Sequence, residues 1–318
     1  MTHITPRVDI AFKKLFGVEE NKDLLISLIN SVVSKEDQVI DVTLLNPYNQ
    51  QNFKLDKLSI LDIKAVGVDG KRFNIEIQIS DEADYDKRAL YYWAKLYTEQ
   101  LKTKQDYSNL SKAIGIHILN FTSILESNDY HNVFCIKEKN KNFEYFKDLE
   151  LHTVELKKFT DTYEKREGAG KITSTQHEQA ALISKIKTSL DMWVAFLTRY
   201  DLLSQGSIAK DIGGESLDKA LSVIEIMNFT YEEREAYEGQ LKWLMIETNT
   251  LKKAEEKGLE QGMQRGIEQG IQKGIQQGIQ EGIEKTAINM LKEKLDESLI
   301  SQVTGLSKDQ ISKLKAKL

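Results

Sequence analysis

The chain has 318 residues, 40% hydrophobic and 29% charged, and its 44 basic and 49 acidic side chains leave a net charge of −5. That balance excludes a global pull toward nucleic acid, so any polyanion site has to come from a local basic patch or a metal ion. The single cysteine, Cys135, excludes an internal disulfide and a thiolate zinc centre; with no apolar signal-peptide core in MTHITPRVDIAFKKLF and no run of about 18 apolar residues, a reducing cytoplasmic home and no membrane span are expected.

Residues 7–34 are expected to form one or two helices. Phe12, Leu15 and Phe16, then Leu24, Leu25, Leu28 and Ile29, recur at helical spacing. Residues 41–45 read as a strand closed by the Asn46-Pro47 turn. A hairpin follows at 60–80. Residues 84–106 read as a long amphipathic helix with Leu90, Trp93, Tyr97 and Leu101 on its apolar stripe, and Tyr91 and Tyr92 also read as core. Short strands are expected at 113–120, 131–136 and 151–156, which gives an α/β or α+β sandwich. After about residue 160 the strand signals stop. Helices are expected over 178–200 and 215–257, and two short ones around Gly305 within 286–318.

The hairpin, LDIKAVGVDGKRFNIEIQIS over 61–80, has two candidate registers. A two-residue turn at Asp69-Gly70 would mix Ile63 and Ala65 with Asn74 and Glu76 on one face. A three-residue turn, Val68-Asp69-Gly70, with Gly70 left-handed, gathers Ile63, Ala65, Ile75, Ile77 and Ile79 on one face. It leaves Asp62, Lys64, Asn74, Glu76 and Gln78 on the other. A slip of one residue flips every side chain, so a buried face selects the second register. Asp62 then stands opposite Glu76. Like charges facing each other destabilise a sheet. Either the face is exposed and the repulsion tolerated, or a divalent cation such as Mg²⁺ or Ca²⁺ sits between the two carboxylates.

An aspartate, thirteen residues, then Glu-x-Gln on the second strand of a hairpin resembles the core of the PD-(D/E)XK nuclease superfamily, with Gln78 where lysine is usual. More closely, the chain resembles the recombination-promoting nuclease and transposase family of bacteria. The matching stretches are DIAFKKLFGVEENKDLLISLIN (9–30), the hairpin, KRALYYWAKLYTEQL (87–101), DYSNLSKAIGIHILNF (106–121), HTVELKKF (152–159) and the glycine-rich tract near the end. Family members usually carry glycine shortly before the Tyr107 position, where this chain has TKQD, so a local loop difference is expected there.

The resemblance implies a restriction-endonuclease-like core, a mixed sheet flanked by helices, over residues 1–160, with helices after it. It implies a divalent-metal-dependent DNA endonuclease linked to recombination or mobile elements, using Mg²⁺, or Ca²⁺ or Mn²⁺. Asp62 and Glu76 would hold the ion with the carbonyl of Ile77, and Asp9 would be a third acidic group beside it; its other reading is a helix N-cap. Gln78 would orient water, and Lys64 on the same face would supply the cation that glutamine lacks. Lys13, Lys14, Lys87 and Arg88 would touch DNA phosphates, Arg88 best through bidentate geometry. Competing readings are a DNA-binding or assembly protein that keeps the fold without strong catalysis, and RNA as substrate. The histidines at 3, 117, 131, 152 and 177 show no ligand spacing, and His117 reads as a satisfied core residue. No phosphate-cradling glycine loop and no Gly-x-Ser-x-Gly is present.

The remaining parts are expected as a helical region (161–255), the tract (256–285) and a tail (286–318). In the tract, glycine recurs at every fourth residue from Gly258 to Gly282, each followed by a large apolar residue. An interior glycine costs a helix about 0.8–1 kcal/mol, so seven cost about 6 kcal/mol. The tract is thus expected to be a helix conditional on self-association, a homo-oligomer, or else a flexible linker. The tail resembles a helix–turn–helix or a plain helical hairpin, with Lys308, Lys313, Lys315 and Lys317 available for DNA.

Overall fold

Gly70 adopts φ +83°, and the turn it closes is held by Gly67 N–H on the carbonyl of Lys71 and Gly70 N–H on that of Gly67, both at 2.9 Å. The hairpin therefore takes the three-residue turn. In the computed structural model, which describes residues 4–48, 62–80, 84–102, 104–159 and 175–316, β2 (Ile63–Gly67) pairs antiparallel with β3 (Arg72–Gln78). Its rungs are Ile63 to Ile75, Lys64 to Asn74, Ala65 to Phe73 and Val66 to Arg72. Expectations touching residues 1–3, 60–61, 103, 160–174 and 317–318 lie outside the described residues.

Six strands form one mixed sheet. β1 (Val42–Leu44) lies antiparallel on β2. β4 (Ala113–Leu119) runs parallel to β3, and β6 (Glu144–Glu155) runs parallel to β4. β5 (His131–Lys137) closes the order β1-β2-β3-β4-β6-β5. The last strand, expected to start at 151, begins at Glu144 because its first half pairs with β5 as an edge hairpin carrying a bulge near half-buried Cys135.

One sheet face carries Phe73, Ile75, Ile77, Ile114, Ile116 and Ile118. It packs on α1 (Asp9–Phe16), α2 (Lys22–Val32), α5 (Ser189–Arg199) and α6 (Gly214–Ile226). Trp193 is fully buried there, edge-on to Phe16 and Phe196. Each large apolar side chain so buried contributes roughly 1.5–3 kcal/mol. The helical region expected after residue 160 thus shares this core; the chain divides into units 1–244 and 245–318.

The other face is covered by the crossover helix α3 (Tyr85–Thr98). Its buried side is Tyr85, Ala89, Trp93 and Leu96, so Leu90 and Tyr91 point outward, against expectation. Trp93 fixes the rotation by donating to the Ala113 carbonyl at 2.7 Å. The helix stops short of 106 because Gln100 bonds both Ser111 N–H and Ser111 carbonyl, turning the chain back to the sheet. In TKQD, Lys104 takes φ +72°, a left-handed turn of the kind that favours glycine.

Two expected helices are each broken by a capping box. The 178–200 stretch divides into α4 (Thr175–Lys185) and α5 at Thr188, whose hydroxyl accepts from Asp191 N–H while Asp191 answers Thr188 N–H. The 215–257 stretch divides into α6 and α7 (Tyr231–Lys292) at Thr230, which exchanges the same bonds with Glu233. The tract is helical throughout, within α7. After it, α8 (Glu297–Thr304) and α9 (Lys308–Lys315) pack Ile300, Ile311 and Leu314 on Ala287, with Gly305 left-handed between them. Among the described residues no helix is long and apolar enough to cross a membrane.

Candidate active site

Asp62 stands one step before β2, and the β2–β3 register continues it opposite Glu76. Its backbone is anchored from two sides. The carbonyl accepts Lys13 Nζ and Asn46 Nδ2, each at 3.0 Å, while Asn46 Oδ1 accepts Lys64 N–H at 2.7 Å. The Asn46 amide thus extends the β1–β2 ladder by one rung past Leu45 N–H on the Lys64 carbonyl. Burial pushes the Asp62 carboxyl up, and the charges of Lys64, Lys13 and Lys95 oppose the shift. Burial pushes Lys13 down to about 8, against the pull of Asp62.

In β2, the backbone groups of Lys64 point to β1, so those of Ile63, and of Ile75 and Ile77 in β3, face the β2–β3 seam. The described ladder ends at Ile63–Ile75, and Ile77 follows two residues beyond that rung. Glu76 and Gln78 point to the opposite face, under α3. Arg88 Nη2 donates to Glu76 Oε1 at 3.2 Å and to Gln78 Oε1, and its guanidinium lies 5.4 Å from the Tyr85 ring centre. Gln78 Nε2 donates to Ser80.

The parallel register sets His117 beside Glu76, with Nδ1 3.8 Å from Oε2. His117 is buried, and burial, with the Arg88 charge, pushes it down to about 4, so the ring is neutral. It is not the satisfied core residue expected. Neither ring nitrogen has a hydrogen-bond partner among the described residues. Gly115 makes room for it: a Cβ there would stand 2.9 Å from His117 Nε2.

Asp9 sits in the first turn of α1, but the N-cap is Val8, so the capping reading falls. Asp9 Oδ2 accepts Gln240 Nε2 from α7 at 3.0 Å. Oδ1 is buried with no hydrogen-bond partner among the described residues. Burial first, then the nearby charge of Glu76, pushes Asp9 up to about 7.

Of the expected cationic residues, Lys13 is 4% exposed and engaged inside. Lys14 is bound to Glu233 at 2.8 Å and to the Asn228 carbonyl at 2.7 Å, over the rings of Tyr48 and Phe229. Both lysines are turned inward because the first helix lies under the sheet. Lys87 has a side chain 78% exposed and touches Asp84. Lys64 Nζ lies 3.7 Å from Glu99. Sequence reasoning missed His117, Gln240 and Asn46; the one local signal was a histidine and a glycine interrupting the apolar run AIGIHIL.

Among the described residues no three His, Cys, Asp or Glu side chains form a metal-holding group. The donor chemistry nonetheless fits a hard divalent ion. Asp9 Oδ1 is buried with no hydrogen-bond partner among the described residues, and partial burial pushes the carboxyls of Asp9 and Asp62 up, so an ion bound there would favour their ionised forms.

A family model described as PD-(D/E)XK nuclease family transposase matches residues 6–254. No curated protein and no solved structure matches the chain.

Proposed function

The chain belongs to the PD-(D/E)XK nuclease family of transposases, and from that membership we propose that it is a divalent-metal-dependent DNA endonuclease acting in recombination or mobile-element movement. The observation that carries this reading is the gathering of three acids: the register leads Asp62 opposite Glu76, and Asp9, whose Oδ1 is buried with no hydrogen-bond partner among the described residues, lies near enough for the charge of Glu76 to help push it up.

Asp62, Glu76, the Ile77 carbonyl and Asp9 would hold the ion, Mg²⁺ by preference with Mn²⁺ or Ca²⁺ as substitutes. Such an ion lowers the pKa of bound water and offsets charge on the scissile phosphate. Gln78 orients the attacking water by hydrogen bonds. Arg88, already on Gln78, brings the positive charge that glutamine lacks, and Lys64 does so at the Asp62 end. Exposed Lys87 reaches a backbone phosphate. Lys13 acts from inside, by fixing the Asp62 carbonyl.

Plasmid nicking in Mg²⁺ and Mn²⁺, for wild type, Asp62→Ala and Glu76→Ala, tests this. Wild type is expected to open supercoiled DNA and both variants to lose at least about 10²-fold. Equal cutting by all three, or none by any, removes the enzyme reading. Glutamine at 78 and the ion pair between Arg88 and Glu76 favour one alternative, a DNA-binding protein of weak catalysis. DNA retention in a gel shift without cutting selects it, and RNA competitors in the same assay report substrate class.

A further inference from the structure

The helical tract from Gly258 to Ile283 carries a face that nothing in its own chain explains. From Leu259 to Ile279 its large apolar residues stand in water, between 54% exposure at Ile267 and 74% at Leu259, while Ile283 is half-buried against the tail. A Cβ added at any glycine from Gly258 to Gly282 meets nothing within 4 Å. Alanine would fit and favour the helix, so no neighbour among the described residues requires glycine.

The charges beside this face are sorted. Residues two places after a glycine position border the apolar row; the charged ones there are Glu260, Glu268 and Glu284, and Glu256 extends the row by one step ahead of the first glycine. Residues one place before border the glycine row. The charged ones are Lys257, Arg265 and Lys273, with Glu281 as the exception, and Lys285 extends the row by one step, ahead of Thr286. Around the helix the order is basic edge, glycine row, apolar row, acidic edge, since each residue advances about 100°.

We propose that this face binds a second copy of the same chain, in parallel. Two parallel copies related by a twofold axis bring the apolar row of each over the glycine row of the other, and set each acidic edge beside a basic one. Lys257 then meets Glu260 of the second copy and Arg265 meets Glu268, while Glu281, the one exception, lies beside Glu284. An antiparallel pair sets apolar row on apolar row and acid edge on acid edge, as flanking positions of antiparallel coiled coils pair with their own kind. Because four residues exceed one turn, the rows track each other in a right-handed crossing.

Light scattering on the full-length protein is expected to give twice 36.4 kDa. Reversing the basic edge (Lys257→Glu, Arg265→Glu, Lys273→Glu and Lys285→Glu) yields monomer. So does reversing the acidic edge (Glu256→Lys, Glu260→Lys, Glu268→Lys and Glu284→Lys). Mixing the two restores the doubled mass, and circular dichroism shows the helix of the tract weakened in each variant alone and regained in the mixture, since seven interior glycines leave the isolated helix short of support. Single spin labels at Gln264, Gln272 and Gln280 give three similar short distances in a parallel pair. In an antiparallel pair they diverge by about 3 Å per residue from the axis, twice the helical rise. A wild-type mass of one chain or more than two, diverging distances, or a mixture that stays monomeric overturns the proposal.

Discussion

Arg88 reaches from α3 to β3, where one nitrogen, Nη2, serves both Glu76 Oε1, at 3.2 Å, and Gln78 Oε1. A single guanidinium thereby ties the glutamate to the glutamine standing where lysine is usual in the superfamily. Because the contact is partly buried, its charge acts with little screening.

Arg88→Ala is expected to lower DNA cleavage on the order of 10²-fold, the usual cost of removing one preorganised donor. Arg88→Lys restores part of it, since lysine keeps the charge without the fork. Single-turnover cleavage at saturating metal checks this. An Arg88→Ala enzyme as fast as wild type would show that the guanidinium only packs.

Asn46→Ala removes both bonds that hold the start of β2, on the Asp62 carbonyl and on Lys64 N–H. Two part-buried backbone groups lose partners, at about 1–3 kcal/mol in all. Asp62 also loses one of its two anchors, so activity should fall more than stability does. Chemical denaturation beside the nicking rate measures both. A stability loss with no change in rate would mean that Lys13 positions Asp62 unaided.

Asp9 ties stability to pH. Its folded value of about 7 lies above the ordinary 3.8. Below the lower value both states hold the proton. Between the two only the folded state does, so unfolding releases a proton and stability falls as pH rises; above about 7 the full penalty, at most about 4 kcal/mol, is in place. Asp9→Asn removes it. In EDTA, the variant's Tm should gain on wild type from pH 5 to pH 8, and Mg²⁺ should narrow the gap by stabilising the ionised carboxylate. A Tm difference that does not change with pH would rule out a raised Asp9.

The hairpin register was legible because only one pairing buries Ile63, Ile75 and Ile77 together, and the structure adopts it. Helix breaks were legible in principle: Thr188-x-x-Asp191 and Thr230-x-x-Glu233 are cap signatures, overridden in the reading by continuous apolar periodicity. The surroundings of the site were not. Gln240 meets Asp9 across 231 residues of chain, and His117 meets Glu76 only through the parallel β3–β4 register. No local pattern encodes such pairings. The lysines next to Phe12 read as phosphate contacts because helical periodicity cannot say that α1 turns them under the sheet.

Gly115 tests whether the place of His117 matters. An alanine Cβ would stand 2.9 Å from His117 Nε2 and 2.8 Å from Leu151 Cδ2, both ends of side chains that can give way. Gly115→Ala is therefore expected to cost about 1–3 kcal/mol, the range for overpacking. A ring displaced from Gly115 would press on its other neighbours, Glu76, 3.8 Å from Nδ1, and the Tyr85 ring, edge-on with centres 5.8 Å apart. Cleavage should drop with stability, and His117→Ala in the same chain should recover part of the stability by vacating the space, a non-additive pair. Denaturation midpoints for the two single variants and the double decide it. Strict additivity would mean that alanine clashes with Leu151 alone and that His117 does not depend on the glycine.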